Sequence, residues 1–295
     1  MQKAGLVLLN YNDSARTVNL ARKSLDIKEF DKICVVDNCS TDDSYVKLKR
    51  LEKSDKITVL QSGANKGYAS GNNIGARFLC NEVGVDIVFI ANPDVEFNAD
   101  LVRNILNTFD EKKEYGVLGA IMQKMDGNID ERPYIKIPTY LQEILLCFYS
   151  YNRYFEKKYP YTIQDKRVQT VDAIQGSLFA VRRSLLEKVG YLDENTFLFY
   201  EEMCLAKKIS YFAPEYKEGL VTDAFYRHNH SASIKNSLSE MRTYRIYMKS
   251  KLYFNKTYQE KNTFLYILLK IATLISRLEK HVFCFLSNWR KNGRE

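Results

Sequence analysis

The chain has 295 residues, 45% of them hydrophobic and 27% charged. That is enough for one large core, or for one domain with an appendage, and is unlike a disordered chain. The net charge is +8, but residues 241–295 carry 12 Lys/Arg against 3 Asp/Glu, so the excess sits at the C-terminal end and the rest is near neutral; this argues against nucleic acid as a substrate and for an anionic surface such as a membrane.

The first 120 residues alternate strand and helix signals. Met1–Lys3 run straight into an apolar run, Gly5–Leu9, without the pattern of a signal peptide. Asp13 or Ser14 can cap a helix reaching about Leu25. Lys32–Asp37 reads as the second strand, and Ser40-Thr41-Asp42-Asp43 offer capping groups for a helix to about Lys53. Ile57–Gln61 is the third strand, followed by a glycine-rich loop and a helix to about Cys80. Val85–Ala91 is the fourth strand, Ala99–Phe109 a helix and Tyr115–Met122 a fifth strand. Strands separated by helices of this length predict an α/β fold with a doubly wound, mostly parallel sheet. Ligands of such sheets sit beyond the carboxyl ends of the strands.

After Met125 the pattern breaks. Asp126–Tyr134 reads as a loop, Pro138–Pro160 as aromatic-rich helix, and Val168–Val189 as a strand-like start followed by a helix, with Gly176 in a polar break. Glu201–Tyr211 is a further helix, Gly219–Tyr226 a further strand, and from Ser239 the chain reads as helix nearly to its end. The expected division is a body over 1–236, with halves at about 1–125 and 126–236, and a basic, aromatic helical tail over 237–295. Phe264–Leu286 is apolar but interrupted by Lys270, Arg277, Glu279, Lys280 and His281. It is too broken to span a membrane and fits either an interfacial amphipathic helix or a helix packed on the body or on a partner subunit. The six cysteines have no C-x-x-C spacing and are expected as reduced thiols in a cytoplasmic protein.

Four polar clusters fall on one rim of the predicted sheet: Asn10-Tyr11-Asn12, Asp37 to Asp42, Asn65-Lys66-Gly67 and Asn92-Pro93-Asp94. Singly they are turn formers; together they suit a ligand with many hydroxyls and a diphosphate. Asp37 can accept from a nucleobase or ribose, or can cap a helix as Ser40 and Asp42 also can. The loop from Asn65 to Gly75, with Asn72 and three glycines, lets a backbone approach a ligand and places a helix N-terminus near an anion. It lacks the spacing of a dinucleotide fingerprint and the G-K-[ST] of a P-loop. Asp94 is either a turn residue or a carboxylate for a hard divalent cation. Glu201 and Glu202 follow the run Phe197 to Tyr200; the residues alone favour a solvated first helical turn, and burial would instead raise their pKa toward a general base. His228 and His230 lie two apart after a strand, placed to ligate a metal or to sit in a surface loop.

In order and spacing these segments resemble the inverting glycosyltransferases of family 2, with a GT-A fold, and among them rhamnosyltransferase-like builders of bacterial surface polysaccharide. The resemblance runs from about Val7 to Ser233. Val35 to Ser44 resembles the nucleotide-binding strand end, Asn65 to Gly75 the asparagine-glycine loop, and Ala91-Asn92-Pro93-Asp94 the metal motif. Gly176 to Arg183 resembles the acceptor-side strand, Val189 to Glu194 and Phe199 to Glu202 the segments that carry the base, and His228 to Ser233 the late H-x-x-x-x-S element. The resemblance implies a nucleotide-diphosphate sugar bound by Asn10, Asp37, Asn65, Lys66, Gly67, Asn72, Asn92 and Asp94. It implies Mg²⁺ or Mn²⁺ on Asp94 and His228, and Glu202 as base with Glu201 as its alternative. A glycan or lipid-linked glycan is then the acceptor, with the tail as a peripheral contact at the inner membrane face; a homodimer stays open. Where the family has E-D-x-D, this chain has Glu201-Glu202-Met203-Cys204, so a non-catalytic scaffold of a polysaccharide assembly complex is the alternative. A nucleotidyltransferase would need a glycine- and lysine-rich loop after the first strand, where this chain has Asn10 to Asp13.

Overall fold

The computed structural model describes residues 2–158, 160–229 and 239–292, with backbone alone at 149, 150, 153, 156, 157 and 281–292. The chain divides into two compact units: Met1–Lys136 with Tyr161–Ser237, and Ile137–Pro160 with Leu238–Glu295. Among the described residues the strands are β1 (Ala4–Asn10), β2 (Phe30–Asp37), β3 (Ile57–Gln61), β4 (Ile87–Ala91), β5 (Val95–Glu96), β6 (Tyr115–Gln123), β7 (Val168–Val171), β8 (Leu178–Arg182) and β9 (Lys217–His228). The α-helices are α1 (Ser14–Leu25), α2 (Ser44–Lys49), α3 (Tyr68–Phe78), α4 (Ala99–Glu111), α5 (Tyr140–Leu145), α6 (Tyr149–Lys158), α7 (Arg183–Val189), α8 (Glu201–Phe212), α9 (Glu240–Tyr258) and α10 (Thr263–Asn292).

The first unit is one twisted sheet between two helical layers. Its strand order is β3-β2-β1-β4-β8-β6-β9-β5, with β7 also on β9. β1 to β4 are parallel; β1, β4 and the Ile33–Val36 run of β2 are apolar and buried on both faces, and β3 is the half-buried edge strand. Alternate side chains divide between two cores. Leu6, Leu8, Val35 and Phe89 pack with α1 and α4, whereas Val7, Val36, Val88 and Ile90 pack with α3, α7 and α8. α3 lies close on β1 because it has glycines there: a Cβ on Gly71 would stand 2.4 Å from Leu9 Cδ1, and one on Gly75 2.6 Å from Val7 Cγ1. These two glycines serve helix–sheet packing, not approach to a ligand. Asn98 caps α4 by accepting from Leu101 N at 3.1 Å.

The sheet is mostly parallel, but β8 runs antiparallel between β4 and β6. The stretch predicted as one strand and a helix over Val168–Val189 is two strands and α7, because the polar break at Gly176 separates β7 from β8. The long C-terminal helix is likewise two helices, parted at residues 259–262, with Asn262 accepting from Leu265 N to start the second. Residues 137–160, read from sequence with the acceptor half of the body, group instead with the C-terminal helices.

That second unit has its own core, formed by Tyr140, Ile144 and Cys147 with Leu269 and Ala272. Inside it Lys251 Nζ stands 2.9 Å from Glu143 Oε2 and donates to the Glu143 carbonyl at 2.7 Å, both side chains being almost fully buried. Burial pulls the ammonium pKa down, but the Glu143 carboxylate, Tyr247 and Cys147 together outweigh it and the Lys251 pKa is raised. Breaking one half of a buried pair strands the other charge. Lys251→Ala is therefore expected to cost about 3–5 kcal/mol, and the joint change Lys251→Met with Glu143→Leu to recover most of it. Urea unfolding of both variants checks this; a loss below about 1 kcal/mol, typical of exposed pairs, in the single variant would contradict it.

Candidate active site

The carboxyl ends of β1 and β2 are locked to each other. Asp37 is fully buried; its Oδ1 accepts from Asn10 Nδ2 at 2.9 Å and from Ser40 Oγ at 2.6 Å, and its Oδ2 from Ser40 N at 3.1 Å. Asn12, in the left-handed region at φ 54°, accepts from Thr41 N at 2.8 Å. In this arrangement Asp37 shapes the loop that follows it, and Asn10 is buried beneath the rim. The next loop is tied to the first by Asn38, whose Nδ2 donates to Asn65 Oδ1 at 3.1 Å and to the Gly67 carbonyl at 3.2 Å. Lys66 is exposed.

Gly67, at φ 106°, explains why this loop needs glycine. A Cβ there would lie 2.2 Å from the Phe197 carbonyl oxygen, to which Tyr68 N donates at 2.9 Å. The close approach is to the segment before α8. Asn72 is fully buried in α3, with Nδ2 on the Tyr68 carbonyl. Its neighbour Asn73, which sequence reading passed over, exchanges two hydrogen bonds with the Leu192 backbone and donates to Glu194 Oε1 at 2.8 Å. It clamps α3 to the segment leading into α8.

Asp94 and His228, 134 positions apart in sequence, meet. Pro93 and Asp94 turn the chain from β4 into β5, and β5 pairs antiparallel with the end of β9, Val95 opposite His228. This brings His228 Nε2 to 3.3 Å from Asp94 Oδ1, with side chains only 12% and 6% exposed. Asn229 N also donates to the Asp94 carbonyl at 3.0 Å. One carboxylate and one imidazole match the donors of a divalent cation whose remaining ligands are diphosphate and water. Among the described residues no group of three or more His, Cys, Asp or Glu could hold a metal. His230 and Ser233 lie outside the described residues.

Glu201 and Glu202 open α8. The expected solvated first turn is corrected here: Glu201 is buried at 5% exposure and Glu202 is partly buried. Two consecutive residues in the left-handed region, Phe199 at φ 73° and Tyr200 at φ 72°, aim the helix start inward. Such conformations cost on the order of 1–3 kcal/mol each and persist only where packing enforces them. Glu202 Oε1 accepts from Gly176 N at 3.0 Å. Ser177, the next residue, accepts from Asn92 N at 2.9 Å. The dipeptide Gly176-Ser177 thus links the loop holding Asp94 to the helix holding Glu202.

A third carboxyl, missed in the sequence, shares the same pocket. Glu218 on β9 accepts from Ile174 N at 2.8 Å through Oε2. With Glu201, Glu202 and Tyr68 it lines a cavity no larger than about one water molecule, walled by Val117, Phe179, Leu192 and Leu205. Burial raises all three carboxyls, Glu218 to about 8, and the neighbouring Glu202 charge adds to the rise at Glu201 and Glu218. The only local signal was a glutamate opening the apolar run Gly219-Leu220-Val221.

Gly176 gives a direct test of this geometry. A Cβ there would stand 2.4 Å from Glu202 Oε1, so the carboxylate must swing away. If Glu202 does chemistry, Gly176→Ala is expected to lower kcat about 10²-fold with donor binding kept. Steady-state kinetics beside donor titration would show it; wild-type turnover in a folded Gly176→Ala protein would contradict it.

The mostly parallel sheet between helices, alike in fold to solved glycosyltransferases, is that of the GT-A class. The chain belongs to glycosyl transferase family 2, whose family model matches residues 7–190. It is 27% identical over 199 residues to the low-salt glycan biosynthesis hexosyltransferase Agl10 of Haloferax volcanii, a match covering 67% of this chain and 58% of that protein. It is 25% identical over 201 residues to the N-acetylglucosaminyl-diphospho-decaprenol L-rhamnosyltransferase of Mycobacterium tuberculosis, covering 64% of each. The chain thus spans about three fifths of the length of these relatives. In fold it resembles the mannosyltransferase PcManGT of Pyrobaculum calidifontis, solved with GDP-Man and Mn²⁺, with a TM-score of 0.56 at 14% identity over 92% of this chain and 69% of that one.

Proposed function

We propose that the chain is an inverting glycosyltransferase that moves one sugar from a nucleotide-diphosphate donor to a lipid-linked glycan in bacterial surface polysaccharide synthesis. The observation that carries this is that the loop holding Asp94 and the helix holding Glu202 both meet Gly176-Ser177, through Asn92 N on the Ser177 carbonyl and Gly176 N on Glu202 Oε1. Asp94 and His228 would hold Mg²⁺ or Mn²⁺, and the structural neighbour solved with Mn²⁺ supports that reading. When bound, the ion supplies positive charge that neutralises the departing diphosphate. Glu202 takes the proton of the acceptor hydroxyl as that oxygen attacks the anomeric carbon, and the bond to the diphosphate breaks in the same step. Asn65, Lys66 and Gly67, at the rim beside the helix start, are assigned to the donor with Asn10, Asp37, Asn72 and Asn92. Asn10, Asp37 and Asn72, being buried, act by holding the rim in place.

The decaprenol-linked name of one relative supports the lipid-linked acceptor, and the basic C-terminal helices support a peripheral location at the inner membrane face. Among the described residues no helix is long and apolar enough to cross a membrane. Incubating the purified chain with radiolabelled nucleotide-sugars, Mn²⁺ and membrane lipid extract tests the proposal. Label is expected in the lipid fraction from one donor; absence of both transfer and hydrolysis with every donor, from folded protein, overturns it.

A further inference from the structure

The second unit exposes two rows of side chains that its own packing does not use. On α10 the packed face is Leu269, Ala272, Thr273 and Ser276, all buried. Away from it Phe264, Ile267, Ile271, Leu274 and Leu278 follow one another at spacings of three and four, with Ile275 beside them, and are 44–68% exposed. At 3.6 residues per turn these six fall within an arc of about 100°. Single exposed apolar residues are ordinary, but a continuous row marks an interaction surface. On α9 the packed face carries Lys251, Phe254, Asn255 and Tyr258. Away from that face Arg242, Arg245, Lys249 and Lys256 recur at helical spacing, all exposed.

The three-four spacing on α10 also fits the seam of a coiled coil, which would make a second copy the occupant. The flanking positions argue against that. Lys270 and Arg277, both exposed, line one edge of the row, and Leu268 and Ile275 line the other. Two parallel copies would set basic against apolar, and two antiparallel copies would set basic against basic. Neither gives the opposite-charge pairs that fix such seams. A surface that is apolar within and negative at its face satisfies both edges.

We infer that the α10 row docks on an anionic lipid bilayer. The apolar side chains enter the boundary between headgroups and acyl chains, Lys270 and Arg277 meet phosphate at its edge, and the basic row of α9 adds attraction within a Debye length. This deepens the proposed action on a lipid-linked acceptor and rests on it for its purpose, yet binding and transfer are separate measurements.

The test sediments the full chain with vesicles of phosphatidylcholine alone and with phosphatidylglycerol added. Binding is expected only with phosphatidylglycerol and should weaken as salt rises. Ile271→Glu with Leu274→Glu is expected to abolish it, and Lys270→Ser with Arg277→Ser to lower it about tenfold or more. Circular dichroism and transfer to a water-soluble acceptor should match wild type in both variants. A folded wild-type chain that ignores both vesicle types, or binds them equally, overturns the inference, as does a double-glutamate variant that still binds. A wild-type dimer in light scattering that the same variant dissolves assigns the row to a second copy instead. Vesicle binding without any transfer overturns the transferase reading and leaves the docking surface standing.

Discussion

Glu202→Gln is expected to lower kcat for sugar transfer by about 10²–10⁴-fold, with donor affinity near that of the wild type. The amide can keep the hydrogen bond from Gly176 N but cannot take a proton. Glu201→Gln should cost less if Glu202 is the base and more if the roles are exchanged, so the pair of variants assigns the proton acceptor. Burial raises both carboxyls, and the base form is gained as pH rises. The acid limb of kcat/KM is therefore expected at higher pH than an ordinary glutamate gives. The stability contribution has the opposite sense. A carboxyl whose folded pKa is raised stabilises the fold fully below its ordinary value of 4.5, and that contribution is lost as pH rises through the folded value, about 8 for Glu218. Transfer assays and melting curves across this window check both signs. A folded Glu202→Gln protein that retains full transfer would remove Glu202 from the chemistry, and one that retains pathway function in cells without transfer would favour a scaffold.

Asp94→Asn is expected to lower metal-dependent transfer at least about 10²-fold and to weaken Mn²⁺-dependent binding of the nucleoside diphosphate. The amide has no charge to offer a hard cation, while the size and the turn are kept. His228→Ala should have a smaller effect in the same direction, because an imbalance of charge at the diphosphate is worse than the loss of a neutral ligand. Chelation of the wild type should reproduce the Asp94→Asn loss. Calorimetric titration of the nucleoside diphosphate with and without Mn²⁺ separates these outcomes. Equal binding with and without the metal in wild type would end the assignment of Asp94 and His228 to a cation.

Much of the nucleotide-side architecture was legible because its information is local. β1, β4 and most of β2 and β3 are apolar runs, and the turn residues after them mark strand ends. What local pattern does not carry is pairing at a distance. The two-residue β5 has no periodicity to detect, yet its ladder with β9 makes Asp94 and His228 neighbours. Composition alone merges β7 and β8 into one stretch, although the resemblance picks out Gly176 to Arg183 as a strand; only the sheet shows that β8 runs antiparallel between β4 and β6. The polarity of Glu201 and Glu202 suggests water, and their burial comes from the inward turn at Phe199 and Tyr200 and from the apolar wall of Val117, Phe179 and Leu192 on other segments. The glycines of the loop after β3 signalled close approach correctly, but Gly67, Gly71 and Gly75 approach Phe197, Leu9 and Val7.

The second unit is assembled from two stretches separated by the strands and helices of residues 161–237. A ribosome delivers Tyr140, Ile144 and Cys147 long before Leu269 and Ala272, the residues that cover them. Until residues 251–272 have emerged, the 137–160 segment carries uncovered apolar surface and Glu143 has no Lys251 to neutralise it. Nascent chains in that state are natural clients for a holding chaperone. A C-terminal truncation recreates the same state permanently, so shortened forms should be recovered as aggregates even though every residue of the first unit's sheet is intact.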